Sequence, residues 1–181
     1  MEQMKLEITL VLLRHKQLHV RGIAKTLNQP HANVSRTMKR LLSANVVDFI
    51  ILGKNKVFRL KKGLEATTYI YLAENFKLLK LIAKYPFLSV IAESILSSST
   101  APIILIFGSF SKFTAKQDSD IDLYVQTTSR KTKSAIEAIN SRLSVKIGML
   151  DKNNLLSKEI IKDHVVLRGA ERYYEQIKFF D

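Results

Sequence analysis

Residues 103–125, IILIFGSFSKFTAKQDSDIDLYV, determine how the second half of the chain is expected to fold. The stretch begins with a wholly apolar run, Ile103 to Phe107, which predicts a short buried strand. The turn-forming pair Gly108-Ser109 follows. After a polar stretch, the run from Asp120 to Val125 predicts a second strand.

The second predicted strand begins with two carboxylates. Because alternate residues of a strand point the same way, Asp120 and Asp122 are expected to project side by side. Two adjacent carboxylates repel each other, and a divalent cation relieves that repulsion. Oxygen ligands of this kind suit Mg²⁺, which usually takes one or two carboxylates together with substrate phosphates. The Gly108-Ser109 turn would let backbone amides approach a phosphate, and a helix after it would add a favourable field.

The order of an apolar strand, Gly-Ser, a spacer and Asp-x-Asp resembles the polymerase-β-type nucleotidyltransferase superfamily, especially its minimal members. The resemblance implies a small mixed-sheet α/β domain that extends to about residue 175. It implies Asp120 and Asp122 as catalytic residues that also bind Mg²⁺. It further implies an NTP, as substrate or ligand, at Gly108, Ser109 and Lys112.

One position departs from the family pattern. The resemblance implies a third carboxylate on a neighbouring strand, and the matching strand here is 144–150, SVKIGML. The carboxylate's place is taken by Lys146, which would compete with a metal ion, pair with Asp122 or bind a phosphate directly. Asp151 and Glu137 are candidate substitutes, although neither occupies the matching position. Because phosphoryl-type transfer depends on positioned charge, the resemblance leaves catalytic activity open.

Other patterns complete the second half. A helical pattern begins at Thr68, with Leu72, Phe76, Leu79 and Ala83 on one face, and Pro86 interrupts it. Beyond residue 125, the predicted elements are a helix over 131–143, the strand 144–150, a helix over 153–162, a strand over 165–167 and a helix from Ala170.

The first 60 residues have a different pattern. A buried helix is predicted over 4–14. Val20, Ile23, Ala24 and Leu27 form one apolar stripe, and Val34, Met38, Leu41 and Leu42 form another after a break at Asn28-Gln29-Pro30. The run 46–52, the turn 53–56 and the run 57–60 then predict a β-hairpin.

The segment 19–63, HVRGIAKTLNQPHANVSRTMKRLLSANVVDFIILGKNKVFRLKKG, closely resembles winged helix-turn-helix regulators. The resemblance implies that the third helix lies in the major groove of double-stranded DNA. Its DNA-binding residues would be His31, Asn33, Ser35 and Arg36 at base edges, Lys39 and Arg40 at phosphates, and Lys54, Lys56 and Arg59 on the wing. The predicted fold is therefore α+β, with a winged helix-turn-helix over 1–66 and the linker helices plus nucleotidyltransferase-like domain over 67–181.

Charge and composition agree with these interpretations. The net charge is +13, and residues 1–65 hold 13 basic against four acidic residues, whereas residues 66–181 hold 16 against 12. Such an excess favours a polyanion, because each neutralised phosphate releases counterions. There is no cysteine, so disulfides and thiolate metal sites are excluded. With no signal peptide or membrane span expected, we predict a cytoplasmic protein without a membrane partner.

Three functional hypotheses follow. The chain is a DNA-binding transcriptional regulator with a degenerate domain that senses a nucleotide or holds a partner. Alternatively, it is a working Mg²⁺-dependent enzyme that transfers NMP from an NTP to an acceptor. In the third, the second domain is a scaffold, and homodimerisation spaces two winged helices on DNA. The family resemblance also leaves open a toxin–antitoxin-type protein partner.

Overall fold

The computed structural model describes residues 2–151 and 153–180. The chain divides into two units, residues 1–76 with 180–181 and residues 77–179. The division lies inside a helix, whereas the sequence prediction placed a boundary between residues 66 and 67. The described residues include no helix that combines the length and apolar character needed to cross a membrane.

The first unit is built from helices and a small sheet in the order that the sequence predicts, with one short strand added. Its elements are α1 (Glu2–His15), β1 (Gln17–His19), α2 (Val20–Leu27), α3 (His31–Ser43), β2 (Val47–Leu52), β3 (Asn55–Leu60) and the start of α4 (Leu64–Lys84). The strands form an antiparallel sheet in the order β1-β3-β2. Strand β1 is the addition, and it is three residues long.

The break between α2 and α3 has a local cause. Asn28 adopts a left-handed conformation with φ 49° and ends α2, and its N–H bonds to carbonyls of the last turn. Pro30 then caps the start of α3, a place where its missing N–H costs nothing. The two apolar stripes meet in one core, where Ile23, Val34 and Leu41 are fully buried.

The second unit contains a four-stranded mixed sheet. Its elements are the end of α4, α5 (Phe87–Ser98), β4 (Ile104–Ile106), α6 (Gly108–Ser111), β5 (Ile121–Val125), α7 (Arg130–Glu137), β6 (Leu143–Ile147), α8 (Leu155–Lys162), β7 (Val165–Arg168) and α9 (Ala170–Gln176). The strand order is β6-β5-β4-β7, with β5 and β6 parallel and the other pairs antiparallel. Every residue of β4 is buried, as the apolar run predicted.

The predicted elements are present with shifted ends. Helix α7 ends at Glu137, six residues before the predicted end, and β6 begins at Leu143. Helix α4 begins four residues before the predicted Thr68. The predicted stripe on α4 is largely exposed: Leu72 is 50% exposed and Leu79 is 65% exposed, whereas Ile70 and Ala73 are buried. A helix rich in apolar residues offers more than one such stripe, and packing chooses between them.

Candidate functional site

The turn after β4 lies directly against a carboxylate of β5. Gly108 is buried and has a left-handed backbone with φ +69°. A β-carbon at this position would overlap Oδ2 of Asp122. The N–H of Phe107 donates to the backbone carbonyl of Asp122 at 2.9 Å. Because residue 108 has no side chain, the Gly-Ser turn can pack directly against the Asp122 carboxylate.

The side chain of Ser111 makes hydrogen bonds that stabilise the turn. Its buried hydroxyl lies 2.9 Å from the carbonyl of Gly108 and 3.2 Å from that of Asp163. Helix α6, which follows the turn, has only four residues. The favourable field expected from a helix is therefore small, and the turn offers mainly its backbone N–H groups.

Asp122 is half-buried and surrounded by charge. Burial raises the pKa of Asp122, and the negative charge of Asp120 raises it further. The positive charge of Lys146 opposes this rise, while Glu159 adds to it, and a hydrogen bond with Ser144 lowers the pKa. The net rise in pKa means that the surroundings disfavour the charged form of Asp122, and a bound cation would favour it.

The two aspartates have different surroundings. Asp120 is exposed and lies one residue before β5, whereas Asp122 lies within it. In the parallel pairing with β6, Asp122 is in register with Ser144, and Tyr124 is in register with Lys146. The lysine is thus two residues further along the strand than the partner of Asp122. It acts on Asp122 through its charge.

A carboxylate on α8 is close enough to act on Asp122, and the sequence did not indicate it. Glu159 raises the pKa of Asp122 and lies 3.3 Å from Nζ of Lys112, with both side chains about half exposed. The two substitutes suggested by the sequence make other contacts. Glu137 pairs with Lys133 at 3.6 Å, and Asp151 accepts a bond from the N–H of Asn153.

The site fits a metal that arrives with its ligand better than a resident one. Across the described residues, no group of three or more His, Cys, Asp or Glu side chains is arranged to hold a metal ion. Asp120 and Asp122 nevertheless form an electrostatically unfavourable pair of oxygen donors. Mg²⁺ often binds through one or two carboxylates and completes its shell with water and substrate phosphates.

The first unit contains a separate cationic cleft of about 450 Å³. Its polar lining comes from α3, the hairpin, the end of β1 and the start of α2: His19, Arg21, His31, Ser35, Lys39, Lys54, Asn55 and Lys56. Apolar side chains, among them Met38 and Phe58, form its floor. Nζ of Lys56 lies 4.2 Å from the ring centroid of Phe49, and this cation–π contact orients the lysine side chain.

The predicted DNA-binding residues are distributed unevenly. His31, Ser35, Lys39, Lys54 and Lys56 line the cleft. Asn33, Arg36 and Arg40 are exposed on α3 outside its lining. Arg59 is in register with Asp48 on the hairpin and lies 3.8 Å from its carboxylate. Residues two apart share a face of a strand, so Arg59 is on the opposite face from Lys56.

Two cationic residues of α2 were not among the DNA-binding residues predicted from the sequence. Arg21 lines the cleft and also a second depression of about 490 Å³ with Lys25 and His31, beside the turn between the helices. Their spacing of four along α2 places Arg21 and Lys25 on one face. That pattern was available from the sequence as the polar counterpart of the apolar stripe.

Residues 90–172 match the protein family described as Polymerase beta, Nucleotidyltransferase. The match covers less than half of the chain and includes the Gly-Ser turn, both aspartates, Lys146 and Glu159. The second unit therefore contains a nucleotidyltransferase-like domain. No curated protein and no solved structure matches the chain.

Proposed function

We propose that the protein is a DNA-binding transcriptional regulator whose second unit binds a nucleoside triphosphate with Mg²⁺. The observation that supports nucleotide binding is the contact of Gly108 with Asp122 inside a nucleotidyltransferase-like domain. The observation that supports DNA binding is the cationic cleft beside α3.

In the proposed DNA complex, α3 of a winged helix-turn-helix lies in the major groove. Its buried stripe faces the core, and its exposed face presents Asn33, Arg36, Lys39 and Arg40. Arginine and asparagine can make paired hydrogen bonds to guanine and adenine. Lys54 and Lys56 on the hairpin would neutralise phosphates beside the helix.

The DNA proposal is tested by charge removal with a matched control. Arg36→Ala with Lys39→Ala removes two exposed cations from α3, and Arg130→Ala with Lys131→Ala removes two exposed cations from α7. Affinity for a labelled mixed-sequence duplex is measured by anisotropy over a salt series. We expect the first pair to abolish retention at moderate salt and to lower the salt slope by about 0.9 for each phosphate that is no longer neutralised. Equal effects of both pairs, or no effect of the first, would contradict DNA binding through α3.

In the second unit, the residues divide the work of binding a triphosphate. The N–H groups of the Gly108-Ser109 turn donate to phosphate oxygens. Lys146 acts on Asp122 through its positive charge, and Lys112 pairs with Glu159. Release of Lys112 from Glu159 would free it for a phosphate. Asp120 and Asp122 would hold Mg²⁺. When bound, this ion neutralises phosphate charge and polarises the phosphoryl group.

Catalytic transfer of NMP from an NTP to an acceptor hydroxyl, with release of pyrophosphate, is the second candidate. The retained pair of aspartates and the family match favour it, whereas the charge of Lys146 near Asp122 weighs against it. Transfer would need a group that accepts the proton of the attacking hydroxyl, and Asp122 is the candidate nearest to the turn.

One experiment separates these functions. The protein and Asp120→Asn are incubated with each labelled NTP, Mg²⁺ and candidate acceptors. Binding without transfer, weakened by the substitution, is the expected result. If the wild type transfers NMP and the variant does not, the protein is a working nucleotidyltransferase and our proposal is wrong. If the protein shows neither binding nor transfer, the nucleotide proposal is overturned and the scaffold hypothesis remains.

A further inference from the structure

Arg142, at the start of the β6 region, bonds to the chain on both sides of Asp120. Its Nε and Nη2 donate to the carbonyl of Ser119 at 3.1 and 2.6 Å. Its own carbonyl accepts from the N–H of Ile121 at 2.7 Å. The peptide groups before and after Asp120 are therefore both fixed by one residue that directly precedes the neighbouring strand β6.

This bracketing matters because Asp120 ends an irregular segment. Residues 112–120 link α6 to β5 without a helix or strand. A small turn closes near its end, where the N–H of Lys116 donates to Ser119 Oγ at 2.8 Å and the N–H of Ser119 donates to the Lys116 carbonyl at 3.1 Å. That turn makes local bonds, whereas Arg142 connects it to the sheet.

The guanidinium of Arg142 is itself held by aromatic rings. Its Cζ lies 5.0 Å from the ring centroid of Phe87 and 5.9 Å from that of Phe110. Phe110 is buried in the single turn of α6 that begins at Gly108. Arg142 therefore relates the peptide before Asp120 to the Gly-Ser turn as well as to β6.

We propose that Arg142 is a positioning residue: it holds the Asp120 carboxylate in place relative to Asp122 and the Gly-Ser turn for a metal–triphosphate ligand. The inference rests on the nucleotide-binding half of the proposed function. Arginine suits the task because its planar fork donates two N–H bonds to one carbonyl while its face stacks on aromatic rings. Lysine keeps the charge and lacks the fork.

The chain offers a matched control at the other edge of the sheet. Arg168, at the end of β7, donates from Nη2 to the carbonyl of Leu96 at 2.7 Å and from Nη1 to that of Ser99. Arg168→Lys thus removes a comparable arginine–carbonyl interaction from the same sheet without touching the segment around Asp120. A purely structural role predicts similar effects for Arg168→Lys and Arg142→Lys.

The test uses the full chain with hydrogen exchange and with Mn²⁺ plus inorganic tripolyphosphate as the probe. We expect Arg142→Lys to speed amide exchange over residues 116–121 and to weaken probe binding on the order of tenfold, as loss of an orienting partner does at metal sites. Arg168→Lys should do neither. In an Asp120→Asn background, Arg142→Lys should cause no further loss, because its effect acts through that carboxylate. Arg142→Gln is the second variant if the lysine variant does not fold.

The outcomes separate the two proposals. Unchanged exchange over 116–121, or an equal loss of binding with and without the Asp120 carboxylate, overturns the positioning role. If the wild-type protein does not bind the probe, the nucleotide proposal fails, and the positioning role for such a ligand fails with it.

Discussion

Gly108 and Asp122 lie so close together that a side chain at residue 108 would overlap the Asp122 carboxylate. The left-handed backbone of Gly108 directs its missing β-carbon at Oδ2 of Asp122. A left-handed conformation favours glycine by itself, and the overlap adds a second, independent reason. This pair joins the Gly-Ser turn to β5, so a change at one residue should affect the other.

We predict that Gly108→Ala weakens binding of Mg²⁺ and nucleotide by tenfold or more and lowers the free energy of unfolding by about 1–2 kcal/mol or more, from left-handed strain plus displacement of Asp122. Gly53→Ala is the control, because Gly53 has φ +59° and no atom within 4 Å of the added carbon. It carries the strain without the overlap. Isothermal titration and urea unfolding measure both quantities; equal losses of binding in the two variants would contradict the prediction.

Asp122→Asn should stabilise the protein at neutral pH. The folded-state pKa of Asp122 is raised, mainly by burial and then by Asp120, so the folded protein binds the proton more tightly than the unfolded chain. Stability therefore falls as pH rises from the unfolded pKa through the folded pKa, and the cost is fully present above it. Because the side chain is only half-buried, water screens this cost, and we expect a gain of no more than about 1 kcal/mol.

The gain is measured as the difference in unfolding free energy between variant and wild type from pH 3 to pH 7. It should vanish at the acid end, where Asp122 is protonated in both states. Asp118→Asn, at an exposed neighbour, is the control. A gain that persists unchanged at the acid end would show that the charge of Asp122 is not its cause.

Lys146→Met should raise the pKa of Asp122 further. The positive charge of Lys146 is what opposes the rise caused by burial and Asp120, so its removal leaves that rise uncompensated. Carbon-detected NMR titration of the carboxyl group measures the pKa. Lys131→Met, an exposed lysine on α7, should leave it unchanged. A fall in the pKa would mean that Lys146 does not act on Asp122 by charge.

Tyr124 gives a prediction at alkaline pH. Burial raises the pKa of Tyr124 to about 12, and its hydroxyl donates to the carbonyl of Gly148 at 2.8 Å. Because the pKa is raised, the wild type should lose stability as pH rises from about 10 towards 12. Tyr124→Phe should lose about 1 kcal/mol at pH 7 from the missing hydrogen bond and show less of this alkaline decline. Unfolding at a series of pH values checks both effects, and parallel curves would refute the assignment.

Much of the architecture follows from local sequence. The run 103–107, the Gly-Ser turn and the Asp-x-Asp step predict two strands and the turn between them, and β4 and β5 lie there. The two stripes around Asn28-Gln29-Pro30 likewise predict α2 and α3. These patterns succeed because helix and strand periodicity is a property of neighbouring residues.

The partners of the site residues do not follow in this way. Glu159 acts on Asp122 from α8, and Arg142 brackets Asp120 from the start of β6, at separations of 37 and 22 residues. Neither relationship has a sequence period. The exposed stripe on α4 has the same origin, since Leu72 and Ile70 are equally apolar and only packing decides which is buried.

Local sequence alone was enough to specify the strand–turn–strand stretch of residues 103–125, the identity of its aspartates and the concentration of positive charge in the first 65 residues. It took the folded chain to establish that Gly108 lies against Asp122, that Ser144 rather than Lys146 is the register partner of Asp122, and that Glu159 acts on it. The same is true of the bonds from Arg142 to the chain on both sides of Asp120. The difference arises because backbone preferences and hydrophobic periodicity act between neighbours in the chain. Electrostatic neighbours, by contrast, are set by strand register and by packing between segments distant in the chain.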